Sequence, residues 1–396
     1  MKFYLIGTGT EGHHTLTLEA AEAIARSELL IGAKRMLEPY QTSGKVCVQA
    51  YQSAEIIAAL HDNKYEIAAV LFSGDCGFFS GASVLKEQLP DAEIIFIPGI
   101  SSFAAFCAKI GKSYENMKFV SLHGRDAHIA IHAAANPLCF FLLGGNVRAA
   151  DLCKQLCAYH LGALSVYIGE NLGYPDERIS IGKAVEFTDF CDDTLTVLVT
   201  ENPTPIQFIP SALPDRCFER SKIPMTKAHV RCSAVAALNI KKDGICWDIG
   251  CGSGSVSVEM AYRCQDGAVY AFDKNPEAIP LTEKNAVHFF CDNIIAEEGN
   301  CPEILLNAPV PDHVFIGGSS GNLRGIFEII AMKNHEADIV ITAVSLETLS
   351  LASKCFDEFQ GTFEVVQIAV TETKKVGSHT MLEAQNPVFV ISGHLG

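Results

Sequence analysis

The chain has 396 residues, which at about 150 residues per domain leaves room for two or three domains. Its composition, 48% hydrophobic and 19% charged, is that of a globular protein rather than a disordered one. With 30 Lys+Arg against 46 Asp+Glu the formal net charge is -16, which argues against a nucleic-acid footprint or an anionic membrane partner. The opening MKFYLIGTGTEG is too short in apolar residues for a secretory signal, and no uninterrupted apolar run of about 18 residues follows. Fifteen cysteines, scattered and without any Cys-x-x-Cys, suggest reduced thiols and a cytoplasmic location. Cys153 and Cys157 stand at helical spacing beside Leu152 and Leu156, a pattern of core packing rather than metal ligation.

From the N-terminus, short apolar strands alternate with helical patterns. FYLIG (3–7) precedes a helix near 17–27, and KVCVQ precedes one near 53–63. IAAVLFSG (67–74), EIIFIPG (93–99), KFVSLHG (118–124) and LCFFLLG (138–144) continue the series, which predicts a largely parallel sheet covered on both faces. SVYIGEN, RISIGKAVEF and TLTVLVT then follow with little helix between them, so a second, more antiparallel subdomain is expected around 125–200. Pro203, Pro205, Pro210, Pro214 and Pro224 crowd one stretch and mark a linker. Beyond it MTKAHVRCSAVAALNI reads as a helix. GICWDIG, AVYAFDK, NIIAEEG, HVFIGG and DIVITAVS read as parallel strands, closed by a terminal hairpin of FEVVQIAVTET and NPVFVISG.

Two glycine loops follow strands. Gly7, Gly9 and Gly12 satisfy G-x-G-x-x-G, but no acid follows the second strand LLIG (29–32), so a dinucleotide site lacks its ribose acceptor. WDIGCGSGSVSVEMA is better supported. It places Gly250, Gly252 and Gly254 between strand and helix, and the next strand ends in Asp273, an acceptor suited to two ribose hydroxyls. The G-x-G-x-G spacing lacks the pyrophosphate cradle and fits S-adenosylmethionine.

Carried by IPMTKAHVR, WDIGCGSGSVSVEMA, YAFDKNPEA, PDHVFIGGSSGNL, ITAVSLETL and AQNPVFV, the right half resembles the decarboxylating class I methyltransferases of corrin biosynthesis. The left half, through IGTGTEG, SGDCGFFSGA, IPGISSF, SLHGR, FLLGGN and ENLGYPDERI, resembles the tetrapyrrole methylases, class III methyltransferases with two α/β lobes. Their order is similar to that of the bifunctional precorrin-6Y C(5),C(15)-methyltransferase family of cobalamin biosynthesis. The resemblance implies a tetrapyrrole methylase domain over 1–205, its lobes divided near 115–125, a Pro-rich linker over 206–222, and a Rossmann-like class I domain over 223–396. It further implies one S-adenosylmethionine per domain, methylation of a precorrin or cobalt-precorrin at carbons 5 and 15, loss of the ring-C acetate carboxylate, and self-association. A methyltransferase of another tetrapyrrole route and a non-catalytic S-adenosylmethionine-binding module are the rival expectations.

By position, the resemblance implies a left-hand cofactor site of Gly7, Gly9, Ser73, Gly74, Asp75, Ser101 and Ser102. On the right it implies Thr226, Gly250, Gly252, Gly254, Asp273, Asn300 and Cys301. The chain departs from the family pattern at Thr10, Glu11, Cys76 and Asn300. Methyl transfer to an enamine-like ring carbon needs positioning more than a strong base, whereas decarboxylation needs a proton donor, for which Lys227, His229 and Glu383 are candidates. His123, Arg125 and Arg148 are expected on the substrate side. His128 and His132 could share a helix face, but no carboxylate-rich set accompanies them and no metal is expected. A polycarboxylate tetrapyrrole on so acidic a protein requires a locally basic pocket, drawn from Lys34, Arg35, Arg125, Arg148 and Arg178 on the left and Lys227, Arg231 and Arg324 on the right.

Overall fold

A computed structural model describes residues 2–10, 14–62, 65–122, 127–145, 147–192, 195–206, 213–319 and 321–396. The chain divides into two compact units. The first comprises Met1–Asp126, Pro137–Lys154 and Leu164–Pro203; the second comprises Ala127–Asn136, Gln155–Ala163 and Thr204–Gly396. His123 and Arg125 lie outside the described residues, as do Glu11 and Gly12 of the first glycine loop.

The first unit holds two sheets. Strands β1 (Lys2–Gly7), β2 (Leu29–Gly32), β3 (Val46–Gln49), β4 (Ile67–Phe72) and β5 (Glu93–Ile97) form an all-parallel sheet in the order β3-β2-β4-β1-β5. Their near-continuous apolar runs are what a sheet covered on both faces requires. Phe3, Leu5, Ile31 and Val70 pack on one face, while Tyr4, Ile6, Leu30 and Ala69 pack on the other, the alternation a pleated strand imposes. A second sheet of β6 (Met117–Ser121), β7 (Leu138–Leu142), β8 (Ser165–Glu170), β9 (Arg178–Lys183) and β10 (Thr196–Glu201) runs β6-β7-β10-β8-β9. Only its β6–β7 pair is parallel, in line with the antiparallel character expected for this stretch. Phe106 and Cys107, on the helix Ser102–Ile110, pack against Phe140, Val197 and Val199 of this sheet.

In the second unit β11 (Ile245–Ile249), β12 (Ala268–Asp273), β13 (Ile294–Glu298), β14 (His313–Ile316) and β15 (Asp338–Ala343) are parallel. The closing strands differ from the simple hairpin read in the sequence. FEVVQIAVTET divides between β16 (Thr362–Ile368) and β17 (Thr371–Val376). The latter pairs with β18 (His379–Ala384) in a separate two-stranded ribbon, exposed along its length. The last strand, β19 (Val388–His394), enters the main sheet antiparallel to both β15 and β16, giving the order β13-β12-β11-β14-β15-β19-β16. The split is physical: a ribbon with charged and polar residues on both faces has no core to join, and its alternating pattern merges in sequence with the strand before it.

Among the described residues no helix is long and apolar enough to cross a membrane, and no group of three or more His, Cys, Asp or Glu is placed to hold a metal. His132 instead pairs with Asp266, Nε2 to Oδ1 at 3.1 Å. None of the fifteen cysteines is in a disulfide, and Cys153 is buried while Cys157 is half-buried.

The most demanding element of the second unit is Arg231, fully buried on the helix Ala228–Ala237. Its Nε donates to Glu259 Oε1 at 2.6 Å, its Nη1 to the Thr226 carbonyl at 2.6 Å and to Asp215 at 3.3 Å, and its Nη2 to the Leu213 carbonyl. The Phe218 ring lies 4.7 Å from the guanidinium carbon. These bonds fasten residues 213–226 to the core and place Arg231 where no solvent-borne anion reaches it, contrary to its expected part in a basic pocket. Arg324 likewise faces Glu358 and Glu328 on the surface, and Arg178 pairs with Glu170. Removing Arg231 strands a buried carboxylate, so Arg231→Ala should cost about 3–5 kcal/mol of stability, read as a lower denaturation midpoint. Arg231→Met combined with Glu259→Gln should recover much of that loss.

Candidate functional site

The first site forms where β4, β1 and β5 end side by side. After β1, Gly9 exchanges two backbone hydrogen bonds of 2.9 Å with Gly74, which follows β4. Gly7 is pressed so closely that an added β-carbon would come within 2.6 Å of the Gly99 nitrogen and 2.7 Å of the Gly74 oxygen. Glycine is the one residue that permits this approach. Asp75 locks the arrangement, accepting from the Gly77 N–H at 2.8 Å and from the Gly99 N–H at 2.9 Å. Its neighbour Cys76 takes a buried place under the loop, with Sγ against the Ile97 carbonyl, and burial pushes its thiol up. Ser101 caps the helix Ser102–Ile110, its Oγ accepting from the Ala104 N–H.

These loops wall a cavity of about 310 Å³ that brings together Ser73, Gly74, Asp75, Ser101 and Ser102 from the expected set, with Thr10 and Arg35. Gly7 lies behind it as a packing position, and Gly9 lines a smaller neighbouring cavity. Sequence reasoning missed the opposite wall: Leu142, Leu143, Leu172, Leu195 and Val197, an apolar face suited to a flat heteroaromatic ring. Leu142 and Leu143 fall in the quoted FLLGGN, but Leu195, exposed just before β10, and Val197, buried within it, carry no local signal, because consecutive residues do not say which side chains at a strand end face a cavity. Arg148 is not among the wall residues; it is exposed, and its backbone N–H donates to Asp151 at the start of the helix Ala149–Ala158.

The second site lies at the ends of β11 and β14, where the strand order reverses, the place at which open α/β sheets collect ligands. Gly250, Gly252, Phe272, Asp273, Gly299, Cys301, Gly317 and Gly318 line a cavity of about 250 Å³, together with Ile223 and Pro224. A β-carbon on Gly250, which has φ of +77°, would sit 2.8 Å from the Gly318 nitrogen. Asp273 Oδ2 accepts from the Gly252 N–H and Oδ1 from the Asn275 N–H, each at 2.9 Å. Each carboxylate oxygen retains an acceptor lone pair, so a ribose diol can still be received. Gly254 turns the chain at φ +72° into the helix Ser255–Arg263, whose dipole favours a negative group at its N-terminal end. Burial pushes the Cys301 thiol up to about 12, leaving it a neutral wall group.

Other expected residues fall elsewhere. Asn300 is exposed between the lining residues Gly299 and Cys301, its backbone carbonyl accepting from Ile304. Thr226 offers its carbonyl to Arg231. Lys227 lies 3.6 Å from Asp215, and His229 is exposed two residues on. Glu383 stands on the exposed β17–β18 ribbon, paired with Lys374 at 2.8 Å, and is not a wall residue of this cavity. The 213–226 segment, which sequence reading treats as linker up to 222, supplies Ile223 and Pro224 to the cavity wall.

Behind the glycine loop, Asp248 is fully buried and accepts from the Ser257 hydroxyl. Desolvation raises its carboxyl to about 7 against the Ser257 hydrogen bonds that oppose the rise. A folded-state pKa above the unfolded value of about 3.9 means that its contribution to stability is full below pH 4 and is lost as pH rises through 7. Asp248→Asn should therefore flatten the decline of the urea midpoint between about pH 4 and pH 7.

Residues 2–188 match the family model of tetrapyrrole (corrin/porphyrin) methylases, and residues 216–393 match that of the precorrin methyltransferase domain. A probable cobalt-precorrin-6B C(15)-methyltransferase (decarboxylating) of Pyrobaculum calidifontis is 38% identical over 185 residues, 46% of this chain and 95% of that one. The precorrin-6Y C(5,15)-methyltransferase [decarboxylating] of Sinorhizobium sp is 29% identical over 338 residues, 82% of this chain and 80% of its own. A crystal structure of precorrin-6Y C5,15-methyltransferase from Geobacter metallireducens, 34% identical, covers 47% of this chain and 97% of its own with a TM-score of 0.45. With both of its halves matched in this order, the chain belongs to the decarboxylating precorrin-6Y C(5,15)-methyltransferase family.

Proposed function

We propose that this chain methylates carbons 5 and 15 of a precorrin or cobalt-precorrin and removes the carboxylate of its ring-C acetate, working in the cytosol with one S-adenosylmethionine per unit. The observation that supports this reading is that each unit carries its own glycine-walled cavity at the carboxyl ends of parallel strands. Free cysteines throughout agree with a reducing compartment. Self-association, implied by the resemblance, belongs to the same proposal.

Bound S-adenosylmethionine supplies an electrophilic methyl group on a sulfonium sulfur. In the second unit Asp273 would hold the ribose hydroxyls, and the loop of Gly250 and Gly252 would lie against the amino-acid end. In the first unit Gly74, Ser101 and Ser102 would hold the donor against the leucine wall. The protein's contribution is alignment and exclusion of water, since the ring carbon is already nucleophilic and no strong base is required. For the proton needed after decarboxylation, Lys227 and His229 are the stronger candidates, because they follow closely on the wall residues Ile223 and Pro224, whereas Glu383 is held by Lys374 on the ribbon.

Incubation of the chain with methyl-labelled S-adenosylmethionine and a precorrin-6 or cobalt-precorrin-6 mixture should yield two labelled methyl groups and one carbon dioxide per macrocycle. Binding of the donor without transfer would instead leave a non-catalytic module. Gly7→Val should abolish methylation at carbon 5 while sparing carbon 15. Gly250→Val should abolish methylation at carbon 15 while sparing carbon 5, and mass analysis of the products separates the two.

A further inference from the structure

Beside the larger cavity of the first unit lies a small compartment of about 30 Å³, its wall shared between apolar residues such as Leu16 and Met36 and the polar Thr8, Arg35, Tyr40 and Ser73. At about one probe sphere per water-sized atom it has room for roughly two such groups, the size of the two oxygens of a carboxylate. The two cavities share Arg35, Ser73 and Tyr174, so these three residues stand where a ligand in the larger space meets the smaller one. Among the described residues lining either cavity, Arg35 is the one basic side chain. The acidic wall residue, Asp75, is engaged with the Gly77 and Gly99 N–H groups.

Several other described cations of this unit are paired with carboxylates. Lys109 pairs with Glu177, Lys112 with Glu201, Lys2 with Glu93 and Arg178 with Glu170. A guanidinium presents a planar fork of donors that matches a carboxylate in two parallel hydrogen bonds, a geometry an ammonium lacks. The Tyr40 phenol, raised by burial, stays protonated in the wall of the same compartment. In a protein of net charge -16, a polyanion needs such a local cation in order to approach at all.

We propose that Arg35, with Tyr40, Ser73 and Tyr174 around it, forms a carboxylate-binding subsite of the first unit. The carboxylate is either a side arm of the macrocycle or the amino-acid end of the methyl donor, and the inference rests on reading this unit as a methylase of tetrapyrroles.

The test uses the full chain with Arg35→Gln and Arg35→Lys, in a Gly250→Val background that confines donor binding to the first unit. A two-site isotherm without Gly250→Val serves the same purpose if that variant is unstable. The probes are uroporphyrin III, S-adenosylhomocysteine and 5′-methylthioadenosine, the last of which lacks the carboxylate. Arg35→Gln should weaken one of the two carboxylate-bearing probes by about tenfold or more while leaving methylthioadenosine within about twofold, and Arg35→Lys should recover part of the loss. Loss of uroporphyrin binding assigns the subsite to the macrocycle; loss of S-adenosylhomocysteine binding assigns it to the donor. Three unchanged affinities, or a parallel fall that includes methylthioadenosine, would overturn the proposal. If the wild-type chain transfers no methyl group to the precorrin while probe binding still depends on Arg35, the methylase reading fails and the subsite stands.

Discussion

Backbone must touch backbone where the parallel strands end, and both cavities depend on it. At Gly7 and Gly99 in one unit, and at Gly250 in the other, no space remains for a β-carbon. A side chain there would push the loops apart and encroach on the cavity beside them. The glycines bring backbone amides and carbonyls to the cavity edge, and the carboxylates of Asp75 and Asp273 stitch the loops by accepting N–H groups. Asp75 and Asp273 each accept one N–H per oxygen, so both fasten a loop while keeping acceptor capacity.

Buried charge gives the second unit its order. Arg231 meets Glu259, Asp215 and two carbonyls without access to water, which fixes the 213–226 segment and, through it, the wall formed by Ile223 and Pro224. Broken on one side, such a cluster is far more costly than it is stabilising when whole. Asp248 is the opposite case, an acid buried with a hydroxyl partner and held near neutrality by desolvation, just behind the loop that shapes the cavity. The surroundings of a site are thus set by ionisable groups that never touch the ligand.

The net charge of -16 acquires a different meaning once the walls are known. Most basic side chains singled out as ligand partners prove to be neutralised by neighbouring carboxylates or turned to the surface, as with Arg231, Arg324 and Arg178. Among the described residues that line the two cavities of the first unit, Arg35 is the one basic side chain. On so acidic a protein, a cation lining a cavity would favour an anion that fits there over unrelated polyanions, a matter of selectivity as much as affinity.

Local pattern alone determined the strand-and-helix alternation of both halves, the two glycine loops and the acid ending β12, because apolar runs, positive-φ turns and strand-end carboxylates are written in consecutive residues. It also determined the family, through motifs such as WDIGCGSGSVSVEMA. Only the tertiary structure decided that β19 slips between β15 and β16, that β17 and β18 stand apart as a ribbon, and that Leu195 and Val197 complete a ligand wall. It alone separated Arg35 from Arg231. Both read as basic residues near a motif, and what distinguishes them is whether the guanidinium meets a cavity or a buried carboxylate, a question of neighbours dozens of residues away.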